Sequence, residues 1–293
     1  MIAIPAGTLL IGSAEFYADE GPVHERDVAE FELDEHPVTN GDYAAFVAAT
    51  GYVTVAEREL DPADFVGADP DDLVPGSMVF TPTDGPVDLD DWRRWWRWQP
   101  GARWSEPEGP GSSIDERMRH PVVHVSFEDA ATYAAWAGKR LPTETEWEWA
   151  ARGGLIGARF AWGNEENPRD AVMVNRWHGS FPYRNTGSDG WVGTSPVGTF
   201  APNGYGLFDM TGNTWEWTTD FYTPRHVVPG VPRVDAGARA NLLGPTAAPD
   251  ARRVLKGGSH LCSPDYCLRY RPAARSPQSE DTAMTHLGFR CAR

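Results

Sequence analysis

The chain of 293 residues has little cysteine, a deficit of positive charge and no long apolar run. Its three cysteines, Cys262, Cys267 and Cys291, are too few and odd in number for a disulfide framework. All three fall in the last 32 residues, so their chemistry is local to the C-terminal segment. Lys and Arg number 26 against 42 Asp and Glu, a formal net charge of −16. A field of that sign repels a phosphate backbone and argues against a nucleic-acid partner. It suits hard cations, a basic peptide, or solubility alone. No stretch reaches the roughly 18 apolar residues that span a bilayer, and no membrane partner is expected. The opening Met1-Ile2-Ala3-Ile4-Pro5 lacks the basic start and apolar stretch of a signal peptide. A soluble, cytoplasmic, monomeric protein is therefore the expectation. Tandem repeats and low-complexity tracts are also missing.

What is abundant is Trp (13), Gly (30) and Pro (25), a composition for a turn-rich fold with a core of aromatic plates. Helix signals are few. Thr39 can cap a helix over about 40–49, with Tyr43, Phe46 and Val47 on one face. Ser126 with Asp129 opens a second that runs to Trp136 and stops at Gly138, and Thr143 with Glu146 opens a third that ends at Gly153-Gly154. Elsewhere short apolar bursts such as His120–Val125 and Leu287–Cys291 are broken by turn residues. Residues of about 55–119, rich in Asp, Pro and Trp, read as a large irregular insertion packed on the surface. The fold class expected is α+β: one compact domain over 1–293 with little regular secondary structure.

The segment Lys256-Gly257-Gly258-Ser259-His260-Leu261-Cys262-Ser263-Pro264-Asp265-Tyr266-Cys267 concentrates the chemistry. Cysteines five apart face opposite sides of a strand, and on a helix they diverge by about 140°. Pro264 disfavours a helix between them, so they meet only across a turn, which Ser263-Pro264-Asp265 suits. A pair brought together in this way can form a disulfide, share a soft metal such as Cu(I), or remain as inert buried thiols. Two sulfurs are too few for a structural zinc site.

The surrounding blocks carry a resemblance. Gly257-Gly258-Ser259 through Cys262, Tyr266-Cys267-Leu268-Arg269-Tyr270-Arg271-Pro272-Ala273-Ala274-Arg275 and Leu287-Gly288-Phe289-Arg290-Cys291 resemble the C-terminal signature of the formylglycine-generating enzymes, or sulfatase-modifying factors. Gly138-Lys139-Arg140-Leu141-Pro142-Thr143-Glu144, Asn203-Gly204-Tyr205-Gly206-Leu207-Phe208-Asp209, Gly212-Asn213-Thr214-Trp215-Glu216-Trp217 and the opening Ile4-Pro5-Ala6-Gly7-Thr8 extend it along the whole chain. Most of these blocks belong to a broader superfamily. The Cys-x4-Cys pair behind Gly-Gly-Ser is the specific part.

The resemblance implies a fold distantly like C-type lectins and a copper-dependent oxidase. Cys262 and Cys267 would hold Cu(I) as a bis-thiolate, and O2 would be the co-substrate. The client would be an unfolded sulfatase segment, whose cysteine in a Cys-x-Pro-x-Arg motif becomes formylglycine. Ser259 would line the pocket where O2 and the client cysteine meet, and Tyr266 and Trp215 would wall it. His260 reads better as a backbone-bonded histidine than as a ligand. His286 stands where relatives often carry Asn near the peptide groove, and no role is assigned to it.

The animal enzymes carry structural cysteines where Ala151 and Pro272 stand here, which leaves Cys291 as an unpaired buried thiol. Two structural calcium sites are implied, one from Asn175 and Asp189 with the carbonyls of Arg176 and Trp191, the other from Asp209 and Glu216 with the carbonyls of Gly212 and Thr214. The plain alternatives are that Asp189 caps its own turn and Glu216 pairs with an arginine. Rival functions are a non-catalytic lectin-like binding module and a non-haem iron oxygenase, whose chemistry needs a histidine cluster normally supplied by an added helical domain.

Overall fold

Three reciprocal capping boxes set the helices in the computed structural model, which describes residues 1–64, 67, 69, 73–229 and 251–293. Thr39 with Asp42 opens α1 (Asn40–Thr50), Ser126 with Asp129 opens α2 (Phe127–Trp136), and Thr143 with Glu146 opens α3 (Glu144–Arg152). Each pair satisfies amide groups that the first helical turn leaves free. Gly51 and Gly153 close α1 and α3 in the left-handed conformation. The capping signals thus lie where the sequence places them. No helix among the described residues is long and apolar enough to cross a membrane.

The strands are short: β1 (Ile2–Ile4), β2 (Gly7–Ile11), β3 (His24–Val28), β4 (Phe31–Leu33), β5 (Gly76–Phe80), β6 (Trp96–Pro100), β7 (Gly179–Ser180), β8 (Arg184–Asn185), β9 (Trp215–Phe221), β10 (Arg252–Lys256), β11 (Arg275–Ser279) and β12 (Leu287–Gly288). Four of them form the one larger sheet among the described residues, in the order β11-β10-β9-β12, with β12 parallel to β9. The others pair in twos: β1 with β4, β2 with β3, β5 with β6 and β7 with β8. The C-terminal end is stitched in through Ala292, which bridges Leu33 and Arg140. The result is a single compact α+β domain in which loops outweigh regular elements.

The core is aromatic. Tyr43, Phe46, Trp104, Tyr133 and Phe289 meet edge-on or stacked at centroid separations of 5.3–6.4 Å. A second apolar centre gathers Ile4, Leu9, Ile11 and Phe31 against Trp147, and a third gathers Trp95, Trp177, Phe181 and Leu261 beside the cysteine pair. Between these lie buried ion pairs: Lys256 with Glu148, Arg271 with Glu20, Arg275 with Glu144 and Arg290 with Glu216. Arg and Lys are almost never fully buried unless a carboxylate lies against them.

The stretch over 55–119 holds more order than its sequence suggests. β5 and β6 form an antiparallel hairpin from Gly76 opposite Pro100 to Phe80 opposite Trp96, and Trp95 and Ala102 are buried. Prolines and acids between the strands hide the alternation, and the cross-strand contact of Phe80 with Trp96, at 5.9 Å, supplies the pairing instead. Part of this stretch, residues 65, 66, 68 and 70–72, lies outside the described residues.

Candidate thiol site

The site is built where the central strand β10 ends. Gly257 and Gly258 follow it with φ of +98° and +71°, and a side chain at Gly258 would place its Cβ 2.7 Å from the Arg269 carbonyl oxygen. Only glycine permits that conformation together with that close approach. The turn delivers Ser259, whose carbonyl accepts from the Cys262 amide at 2.9 Å. The Ser263 carbonyl then accepts from the amides of Tyr266 and Cys267, at 3.0 and 2.7 Å. Two successive turns therefore fold the Cys-x4-Cys segment back on itself, as Ser263-Pro264-Asp265 suggested. The two sulfurs stand 3.3 Å apart and both are free thiols.

Their electrostatics are split. Burial raises the Cys262 thiol, but the Cys267 S–H, the Ser259 amide 3.4 Å away and the Arg269 guanidinium outweigh it and hold Cys262 below the ordinary thiol range. Cys267 is pushed up, first because it donates its S–H to Cys262 and then by burial. Of the two thiols, Cys262 is the more acidic and Cys267 the less.

A cavity of about 320 Å3 opens over the sulfurs, with Ser259, His286 and Arg269 among its polar lining. Its walls are Tyr17, Trp95, Trp96, Phe181, Trp215 and Tyr266. Tyr266 stacks on Phe181 at 4.6 Å with 3° between the planes, and Trp95 meets both edge-on. Tyr266 and Trp215 thus wall the site as the resemblance implied. His260 is buried with Nδ1 2.8 Å from the Asn213 carbonyl oxygen, a backbone-bonded histidine. Cys291 is a buried free thiol elsewhere in the core, pushed up by burial and by Asp34.

The donor set fits a soft ion. Two adjacent thiols screened by aromatic rings, one of them made more acidic by its neighbours, suit Cu(I). Among the described residues no group of three or more His, Cys, Asp and Glu is placed to hold a metal. His286, Arg269, Tyr17, Trp95 and Trp96 were not assigned to the site from the sequence. Arg269 follows Cys267 by two residues, whereas the others arrive from distant segments, signalled in advance by the tryptophans from Trp92 to Trp98 and by the place of His286 before the last block.

The two acidic loops have visible structural duties. Asp189 accepts from the amides of Trp191 (3.0 Å) and Arg176 (3.2 Å), and His178 Nε2 lies 3.5 Å away. Burial raises its carboxyl, but these hydrogen bonds outweigh it and hold the group below its usual range. Asn175 donates to the Gly193 carbonyl and to Asn213 Oδ1, at 2.9 and 3.3 Å. In the second loop Glu216 receives Trp147 Nε1 at 2.7 Å and two nitrogens of Arg290 at 2.8 and 2.9 Å. Asp209 accepts from the Gly198 amide at 2.7 Å, and its carboxyl is raised by burial and by nearby Glu216. The Gly212 amide donates to the Gly257 carbonyl, and Thr214 lies buried one residue before β9. The turn-capping role of Asp189 and the arginine pairing of Glu216 are both present. The carboxylate oxygens of Asp189, Asp209 and Glu216 are of the hard type that Ca2+ takes.

The model of the sulfatase-modifying factor enzyme 1-like domain matches residues 1–293. A protein of Mycobacterium tuberculosis named formylglycine-generating enzyme is 56% identical over 291 residues, covering 99% of this chain and 96% of its own. A cattle (Bos taurus) relative, 39% identical over 297 residues with 100% and 87% covered, is named inactive C-alpha-formylglycine-generating enzyme 2. Among solved structures, PvdO from Pseudomonas aeruginosa shares the fold with a TM-score of 0.64 at 24% identity, covering 99% of this chain and 92% of that one. With its whole length matched and its paired cysteines brought together at the end of the central strand, the chain belongs to the sulfatase-modifying factor (formylglycine-generating enzyme) family.

Proposed function

We propose that this chain oxidises the cysteine of a Cys-x-Pro-x-Arg segment in an unfolded sulfatase to formylglycine, with O2 as oxidant and Cu(I) held by Cys262 and Cys267. The carrying observation is the 3.3 Å sulfur pair at the floor of an aromatic cavity. When bound, Cu(I) supplies an electron-rich soft centre that accepts a further thiolate and passes electrons to O2. In the balanced reaction the client thiol, one O2, two electrons and two protons give the aldehyde, one hydrogen sulfide and one water. One carbon–hydrogen bond and the carbon–sulfur bond break, a carbon–oxygen double bond forms, the sulfur leaves as hydrogen sulfide, and O2 is reduced to the level of water. Two of the four electrons taken by O2 come from the client carbon, and two come from a reductant of the thiol class.

The protein's own groups do the rest. The Ser259 amide and Arg269 favour the thiolate form of the pair. The aromatic walls exclude water from the reacting carbon, and Ser259 offers its hydroxyl beside the sulfurs. Outside the cavity the net charge of −16 suits the arginine of the client motif.

Mass spectrometry of a Cys-x-Pro-x-Arg peptide incubated with the protein, Cu(I), a thiol reductant and air tests the reading. Conversion that disappears in Cys262→Ala and in Cys267→Ala is the expected result. A copper-loaded, folded protein that leaves the peptide unchanged would return the chain to the binding-module reading, which the inactive relative keeps open.

The same reading places structural Ca2+ at Asn175 and Asp189 with the Arg176 and Trp191 carbonyls, and at Asp209 and Glu216 with the Gly212 and Thr214 carbonyls. A thermal midpoint that falls by several degrees in EGTA and returns with Ca2+, but not with Mg2+, supports this. A midpoint indifferent to both removes it. Three unpaired thiols suit a reducing, cytoplasmic setting, and a monomer is the working form in this reading.

A further inference from the structure

We infer that His286 is the positioning residue for Ser259, fixing the one direction in which the serine hydroxyl addresses the thiol cavity. This rests on the oxidase reading of that cavity. Ser259 Oγ lies 3.2 Å from His286 Nδ1, and it also accepts the Leu261 amide at 3.3 Å. A serine oxygen offers one proton and two lone pairs. The Leu261 amide takes one lone pair, and the imidazole takes either the proton or the second lone pair. One hydrogen-bonding direction remains free on a side chain that lines the cavity with Cys262 and Cys267.

His286 is itself held firmly. Its carbonyl accepts from the Trp215 amide at 2.9 Å, which anchors the residue beside β9 just before β12 begins. Its ring meets Trp96 edge-on at 4.7 Å. The imidazole is thus clamped between Ser259 and a tryptophan contributed by the 55–119 stretch. Burial, with His260 and His124 as neighbours, pushes its pKa down to about 3, so it is neutral across the working range. A neutral ring carries one N–H, and which nitrogen holds it settles whether the remaining Ser259 direction donates or accepts. In either case removal of the ring frees the hydroxyl to rotate, and its hydrogen bond to the reacting groups is made only part of the time.

A double-mutant cycle on the copper-loaded enzyme tests this, with kcat and KM for the peptide read separately. His286→Leu is expected to lower kcat about tenfold with KM little changed. His286→Asn, whose amide can reach the Nδ1 position, should recover most of that loss. In a Ser259→Ala background the His286→Leu change should cost nothing further. Cu(I) affinity, read by competition with a colorimetric chelator, and the thermal midpoint should stay at wild-type values in His286→Asn. Losses that multiply, no effect of His286→Leu, or no recovery with Asn overturn the inference while leaving the oxidase reading intact. Failure of the wild-type protein to convert the peptide removes both.

Discussion

Glu216 and Arg290 are 1% and 0% exposed and form a two-pronged ion pair, with Trp147 as a third contact on the carboxylate. Removing one partner of such a pair strands the other charge in a low-dielectric interior, at a cost of about 3–5 kcal/mol. Glu216→Gln is therefore expected to lower the unfolding free energy by about that amount, measured by urea titration in the presence of a chelator. A loss under ~1 kcal/mol would mean that Arg290 finds its compensation elsewhere. The same side chain carries the second calcium assignment, so the chelator separates its two roles. At the cysteine pair the logic is different. Cys262 and Cys267 are poised by one another and by Arg269, whereas Cys291 is buried against Asp34 and kept protonated.

At the level of elements, the turn after β10 places the chemistry, and its glycines are fixed by space. Gly258→Ala would set a methyl group 2.7 Å from the Arg269 carbonyl in a left-handed conformation. A shift of that turn moves Ser259 and Cys262 together and leaves β10, which ends at Lys256, in place. The expected outcome is loss of most Cu(I) binding together with a destabilisation of about 1–3 kcal/mol, read by chelator competition and by thermal melting. Cu(I) affinity at the wild-type level would show that the turn adapts. The helices lie outside this mechanism. α3 frames the buried ions Glu144, Glu148 and Arg152, and the cysteine turn follows β10.

For the molecule as a whole, buried histidines set the response to acid. Burial lowers His226 and His260 to about 4 and His124 to about 3, against 6.5 for a free imidazole. Below pH 6.5 the unfolded chain binds protons that the folded one refuses, so stability falls as pH falls from about 6.5 toward 4. Each such histidine contributes a slope of about 1.4 kcal/mol per pH unit. Burial raises the Glu148 carboxyl, but Lys256, Arg152 and His226 outweigh it and hold it at about 2, so its contribution is lost only from about pH 4.5 down to 2. Urea titrations at pH 7.5, 6 and 5 should therefore show a steady fall, with His226→Gln flattening the slope. A stability flat from pH 7.5 to 5 would show that these histidines open to water in the folded state.

The sequence by itself determined the local rules. Ser, Thr, Asp and Glu at fixed offsets mark the starts of the three α-helices among the described residues, and tryptophan abundance forecasts an aromatic core. The Cys-x4-Cys segment could not be regular structure, and its Ser-Pro-Asp turn was readable, because hydrogen bonds and backbone angles at that range depend on neighbours a few residues away. The sequence blocks around the pair carried the family resemblance. Only the tertiary structure decided what surrounds the sulfurs. Trp95 and Trp96 come from a hairpin whose alternation is masked by proline and acid, Tyr17 from the N-terminal third, and His286 from beside β12. These side chains meet through packing across long sequence separations, and no local periodicity encodes such a meeting. The pairing of Arg290 with Glu216 belongs to the same class, because a buried charge finds its partner only once the core has closed around both.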